Sequence, residues 1–247
     1  MECPKCGYEN QPNREDCFRC RVIFAKIRKK PAPQGAVSLE EGAEDLASSE
    51  SSKARFRRIV IGQKAVSPWM GLVLLVMGIW GGKLVLAGIA GNAAGESWLH
   101  LVNLPFHEAG HVFFRPFGSF LASLGGTLGQ LFVPLLCMTV LLLKTRDPFG
   151  GAVCLWWFGE NFLDIAPYIN DARAGRLPLV GGNFGNSSPY GFHDWEYLLT
   201  ETGMLRYDHT LAKVAHGCGA LLMVLAIVWG VFLLAGSKAA KKLGEGP

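Results

Sequence analysis

Between residues 66 and 143 the sequence carries only four charged side chains, Lys83, Glu96, Glu108 and Arg115. A water-soluble domain needs charge over its whole surface, so 78 residues this poor in it exclude an ordinary soluble fold. Strong apolar runs at 69–90, 120–143, 152–169 and 211–235, with a shorter one at 98–114, are long enough to cross a bilayer core of about 30 Å as helices. The expected fold is therefore mostly α: a polytopic helical membrane protein of four to five spans, filling residues 66–237. A basic tail, 238–247, closes it. The first 65 residues hold 22 of the charges and form a separate polar head. The opening 20 residues have no apolar stretch of the kind a signal peptide needs, so none is expected. The net charge of +4 is small and unevenly placed, and bears on orientation more than on nucleic acid.

The head begins with Cys3-Pro-Lys-Cys6 and Cys17-Phe-Arg-Cys20. Two such pairs ten residues apart suit a zinc ribbon over residues 1–30, each pair offering two thiolates to one tetrahedral Zn²⁺. A segment this short cannot bury enough apolar surface to fold unaided, so the metal would supply the folding energy. Two local disulfides would be strained and out of place in a cytosolic head. Arg21, Lys26, Arg28, Lys29 and Lys30 could touch nucleic acid or anionic lipid. Ribbons of this size more often bind protein, so a protein partner is expected in preference to nucleic acid. Cys137, Cys154 and Cys218 lie in apolar runs and read as small buried hydrophobes.

Residues 31–54 are rich in Pro, Ala, Ser, Gly and Glu with little to bury, the composition of a flexible linker. Arg55, Arg57, Arg58 and Lys64 follow as a basic collar, completing the linker region 31–65. Positive charge beside the first span predicts a cytoplasmic head on a multi-pass protein of the cytoplasmic membrane. Whether 98–114 crosses fully or is re-entrant separates five spans from four, and the balance of positive charge is equal for both. Between the last two runs, the polar stretch 170–210 is marked by Gly, Asn and aromatic residues, with a short interfacial helix expected at 195–199.

The chemistry concentrates in His107-Glu108-Ala109-Gly110-His111. Histidines four apart on a helix share a face and can bind one metal ion, while Glu108 can accept a proton from a water held there. A carboxylate among Phe106, Val112, Phe113 and Phe114 at membrane depth costs roughly 2.5–3.5 kcal/mol on insertion scales unless something compensates. A bound Zn²⁺ would compensate.

A membrane-embedded HExxH, then the Gly-rich Gly125-Gly126-Thr127-Leu128-Gly129-Gln130, then a span with Asn161, Asp164, Pro167 and Asp171, resembles the site-2 protease family of intramembrane zinc metalloproteases. The resemblance spans residues 98–172. Thr127 and Gln130 stand where that family often has Pro and Asn, and its Leu-Asp-Gly signature is absent. It implies zinc held by His107, His111 and an acidic third ligand, with Glu108 as the general base. The acidic ligand is expected to be Asp171 or Asp164, with His193 as a further candidate. Asn161 would hydrogen-bond the substrate backbone or the developing oxyanion. The implied activity is hydrolysis of peptide bonds in membrane-spanning or membrane-proximal substrates, using one zinc in the membrane and one in the ribbon. The rival expectation is a non-enzymatic zinc-binding membrane adaptor, in which four protein ligands would close the metal site.

Overall fold

The structure is a computed structural model and describes residues 2–3, 5–11, 15–24, 67 and 69–244. The chain divides into two units, Met1–Glu50 and Ser51–Pro247. The expected linker at 31–65, its basic collar, and Lys26 to Lys30 lie outside the described residues.

In the first unit two turns repeat one pattern. The Cys3 N–H donates to the Tyr8 carbonyl and the Gly7 N–H to the Cys3 carbonyl; Cys17, Val22 and Arg21 repeat both bonds. The residue after each second cysteine adopts a positive φ, +70° at Gly7 and +57° at Arg21. This turns the chain tightly enough to bring both thiols of a pair to one side. Asn10 joins the turns: its Oδ1 accepts from the Phe18 N–H at 2.8 Å, and its Nδ2 donates to the Tyr8 carbonyl at 2.9 Å.

The second unit is built of helices: α1 (Trp69–Ala87), α2 (Trp98–Phe114), α3 (Ser119–Leu143), α4 (Pro148–Asn170), α5 (Asp194–Glu201) and α6 (Asp208–Gly244). The described residues contain no β-strand, only isolated bridges such as that between Pro178 and Phe184. Trp69–Ala87, Ser119–Leu143 and Leu205–Gly236 are long and apolar enough to cross a membrane. Exposed Leu72, Ile79, Phe132, Leu221 and Phe232 on these helices fit a lipid-facing surface. At 17 residues α2 extends only about 25 Å.

Helix α4 is the inner element. Asp147 caps it by accepting from the Gly150 N–H at 3.0 Å, and Pro148 starts it where a missing N–H costs nothing. Its Phe149, Trp156 and Leu163 pack with Leu74, Met77 and Leu84 of α1 and Met223, Ala226 and Leu233 of α6. Two glycines set the α4–α6 approach. A Cβ on Gly159 would stand 2.8 Å from the Gly219 carbonyl oxygen, and one on Gly219 would stand 2.5 Å from that of Gly159. Gly110, Gly125 and Gly129 do the same between α2 and α3, where a Cβ on Gly110 would collide with the Gly125 carbonyl. Of the three apolar-run cysteines, Cys154 is buried and Cys137 half-buried. Cys218 is exposed, contrary to expectation.

Candidate metal centres and their cavity

The four head cysteines are free thiols whose sulfurs lie within 4.8 Å of one another. Cys3 Sγ is 3.7 Å from Cys20 Sγ, and Cys6 Sγ is 3.7 Å from Cys17 Sγ. Four sulfurs at about 2.3 Å from a tetrahedral ion stand about 3.8 Å apart, so this spacing fits a shared metal. Asn10 Nδ2 lies 3.6 Å from Cys17 Sγ, a donor placed to support a thiolate.

In the helical unit His107 and His111 stack on one face of α2, with ring centroids 4.8 Å apart. Both rings are oriented from behind. His111 Nδ1 faces the Ala122 carbonyl at 2.8 Å, and a carbonyl can only accept, so Nδ1 carries the hydrogen. For His107 the polarity is set by a longer chain. The Trp157 carbonyl accepts from Asn161 Nδ2 at 3.0 Å, and Asn161 Oδ1 then accepts from Gln130 Nε2 at 3.2 Å. Gln130 Oε1 is thereby left to accept from His107 Nδ1 at 2.7 Å. In their neutral forms both imidazoles therefore present a bare Nε2 lone pair on the same side.

The third donor facing them is Asp194, at the first turn of α5. Its Oδ2 lies 3.2 Å from His107 Nε2 and 3.3 Å from His111 Nε2. Ser123 Oγ donates to Oδ1 at 2.8 Å, which leaves Oδ2 as the converging atom. Tyr168 adds a hydroxyl contact to Oδ2 at 3.3 Å and accepts from the Asp194 N–H at 3.0 Å. Burial alone would push the Asp194 carboxyl up, but the two imidazoles, when protonated at Nε2 and donating to it, outweigh burial and hold it well below the usual carboxylate range. Gly126 of α3 completes the surround: a Cβ there would stand 2.5 Å from His107 Nε2 and 2.6 Å from His111 Nε2. Two nitrogen donors and one carboxylate, with a space beside them that a single methyl would fill, fit a zinc-sized ion.

The structure places the three residues expected as a third ligand away from the two histidines. Asp171 turns away to accept from the Arg176 and Leu177 N–H groups at 2.9 and 2.8 Å, fixing the turn after α4. Asp164 faces His100 Nδ1 at 2.8 Å and Asn103 Nδ2 at 3.1 Å. His193 is the N-cap of α5: its Nδ1 accepts from the Glu196 N–H at 3.2 Å, and burial among neighbours that include Tyr168 depresses its basicity. The residue that His193 positions, Asp194, stands with the histidines. Asn161, expected to meet a substrate, is fully buried behind Gln130 and is not among the residues lining the cavity.

The group opens into a cavity of about 1120 Å³. Glu108, exposed on α2, lines it together with His107, His111 and Asp194. Leu177, Pro178, Leu179 and Val180 form another wall, held by the Asp171 turn and the Pro178–Phe184 bridge. Asp194 escaped the sequence reading because it lies 83 residues beyond His111, outside any helical spacing. The available signal was the His193-x-x-Glu196 helix start, which puts a carboxylate at the first position of a short helix in a polar loop. Searches against protein-family models, curated proteins and solved structures return no match.

Proposed function

We propose that this protein is an intramembrane zinc metalloprotease resembling the site-2 protease family, with an N-terminal zinc ribbon. The observation that carries the reading is the three-donor group His107, His111 and Asp194 beside an exposed Glu108 in one cavity. Among the described residues the group has three protein donors, as hydrolytic zinc sites do, whereas structural sites are closed by four. That favours the enzyme over the adaptor. The third donor comes from α5, so the reading rests on the chemistry of the donor set and not on the family's usual helix order.

Bound zinc would supply a Lewis acid that polarises a peptide carbonyl and acidifies a water. Glu108, exposed in the cavity beside the three donors, would serve as the base for an attacking water and the acid for the leaving amine. His107, His111 and Asp194 would hold the ion, and Gln130 and the Ala122 carbonyl, by accepting the Nδ1 hydrogens, keep both Nε2 lone pairs free for it. Tyr168, which lines the cavity, holds Asp194 in place through its hydroxyl. The substrate is a membrane-spanning or membrane-proximal segment, unwound locally to enter between α2 and the 177–180 wall. The chain makes four to five crossings with the ribbon in the cytoplasm, where the ribbon binds a protein partner or substrate.

The test is Glu108→Gln in full-length protein. Zinc content and helix content should match wild type, while cleavage of co-expressed membrane-helix substrates falls about 10²–10⁴-fold, the usual general-base contribution. Undiminished cleavage in the variant, or none by wild type across a panel of membrane helices, would overturn the protease reading.

A further inference from the structure

The cavity touches a second polar cluster that the proposed hydrolysis does not use. His100 and Asn103 of α2 meet Glu160 and Asp164 of α4, one to two turns along α2 from His107. Trp157 Nε1 donates to Asn103 Oδ1 at 2.8 Å. An indole N–H can only donate, so the Asn103 amide has one orientation, with Nδ2 toward the acids. That nitrogen donates one hydrogen to Glu160 Oε2 at 3.0 Å and the other to Asp164 Oδ2 at 3.1 Å. Asp164 Oδ1 takes His100 Nδ1 at 2.8 Å. Three of the four carboxyl oxygens are therefore matched. The fourth, Glu160 Oε1, is buried with no hydrogen-bond partner, on a residue with no exposed surface.

Two carboxylates share one amide nitrogen, and the one imidazole in the cluster, His100, bonds only Asp164. Among the described residues, Asp164 on the same helix is the charged group that bears on Glu160 directly, with His100 behind it. The other faces of α4 meet the uncharged Trp80 and Gly81 of α1, Gln130 of α3, and Gly219 and Met223 of α6. A second anion enclosed there would be strongly disfavoured, with only the Asn103 N–H to offset it. Protonation removes that cost.

We propose that Glu160 is a proton-binding site, distinct from the metal group, which exchanges with the cavity through Asp164 and His100. Asp164 and His100 line the cavity and Glu160 does not, so they are the route by which a proton reaches it. With His100 neutral and its Nδ1 hydrogen on Asp164, a proton taken from cavity water at Nε2 releases the Nδ1 proton to Asp164 Oδ1, and the Asp164 carboxyl, one helical turn from Glu160, turns to hand it on. The reverse sequence returns it, and nothing else is consumed. None of the four cluster residues bonds to His107, His111 or Asp194, so the site stands whether or not the chain is a protease.

The experiment is infrared spectroscopy of the full-length protein in detergent at pH 7. The expected result is a carboxylic-acid C=O stretch equivalent to one group per chain, which shifts in D₂O. It should vanish in Glu160→Gln and persist in Asp164→Asn. His100→Leu should keep the band and slow its deuterium shift at least tenfold. No band in wild type, or a band lost in Asp164→Asn and kept in Glu160→Gln, overturns the site. An unslowed shift in His100→Leu overturns the exchange route. A Glu160→Gln chain that fails to fold also counts against the proposal, since a neutral amide of the same shape should replace a protonated acid.

Discussion

Replacing Gly126 by alanine adds one methyl group at the point where His107 and His111 converge. The added carbon would stand 2.5 Å from His107 Nε2 and 2.6 Å from His111 Nε2. Non-bonded heavy atoms settle at about 3.5 Å, so each nitrogen would have to retreat by about 1 Å. Metal sites tolerate ligand displacements of about 0.2 Å, and zinc binds imidazole nitrogen at about 2.0–2.1 Å. The methyl therefore takes the volume an ion would occupy and pushes both nitrogen donors out of range. The loss should exceed the roughly 10–100-fold that follows from removing an outer hydrogen-bond partner. The fold should survive, because the groups that must move are side chains bordering a cavity. Metal analysis after a chelator challenge is the assay. Wild type should hold two zinc per chain and Gly126→Ala one, with unchanged helix content by circular dichroism. Gly217→Ala, where a Cβ meets nothing within 4 Å, is the control and should hold two. Two zinc retained in Gly126→Ala would refute the assignment of the ion to the space beside Gly126.

The same assay separates the carboxylates: Asp194→Ala should lose the helical-unit zinc, whereas Asp171→Ala and Asp164→Ala should retain it. Gln130→Leu removes the acceptor that fixes the His107 tautomer, and should weaken zinc about 10–100-fold without abolishing it, as read by competition with a chelator. Cys17→Ser should unfold the head and lower zinc by one per chain while the helical unit keeps its melting behaviour; aggregation of the whole chain would show that the head is integral to the fold.

The helices were legible in the sequence because lipid-length apolar runs and the four-charge stretch leave few alternatives. The expected runs at 98–114 and 120–143 coincide with α2 and α3 to within a residue, and the short helix expected at 195–199 lies inside α5. The pairing of His107 with His111 was legible for the same reason: a helix fixes the relation of residues four apart without help from the rest of the chain. The cysteine pairs were too, since two knuckles of matching spacing carry their own geometry. The third donor is different. Asp171, Asp164 and Asp194 are all acidic residues bordering apolar helices, and local sequence does not rank them. Tertiary packing ranks them through what each carboxylate meets. Asp171 meets two backbone N–H groups of its own turn and Asp164 meets His100 and Asn103, so both are satisfied elsewhere. Asp194 is carried to the histidines by the His193 cap at the start of α5. Gln130 and Asn161 changed meaning in the same way. As residues they are amides in an apolar helix; only the crossing of α3 with α2 and α4 makes them a one-way hydrogen-bond chain from the Trp157 carbonyl to His107. Sequence by itself determined which helices form and which side chains could do chemistry. Only the tertiary structure decided which of them meet, because contacts between distant segments depend on helix approach distances that glycines such as Gly110, Gly125, Gly159 and Gly219 set.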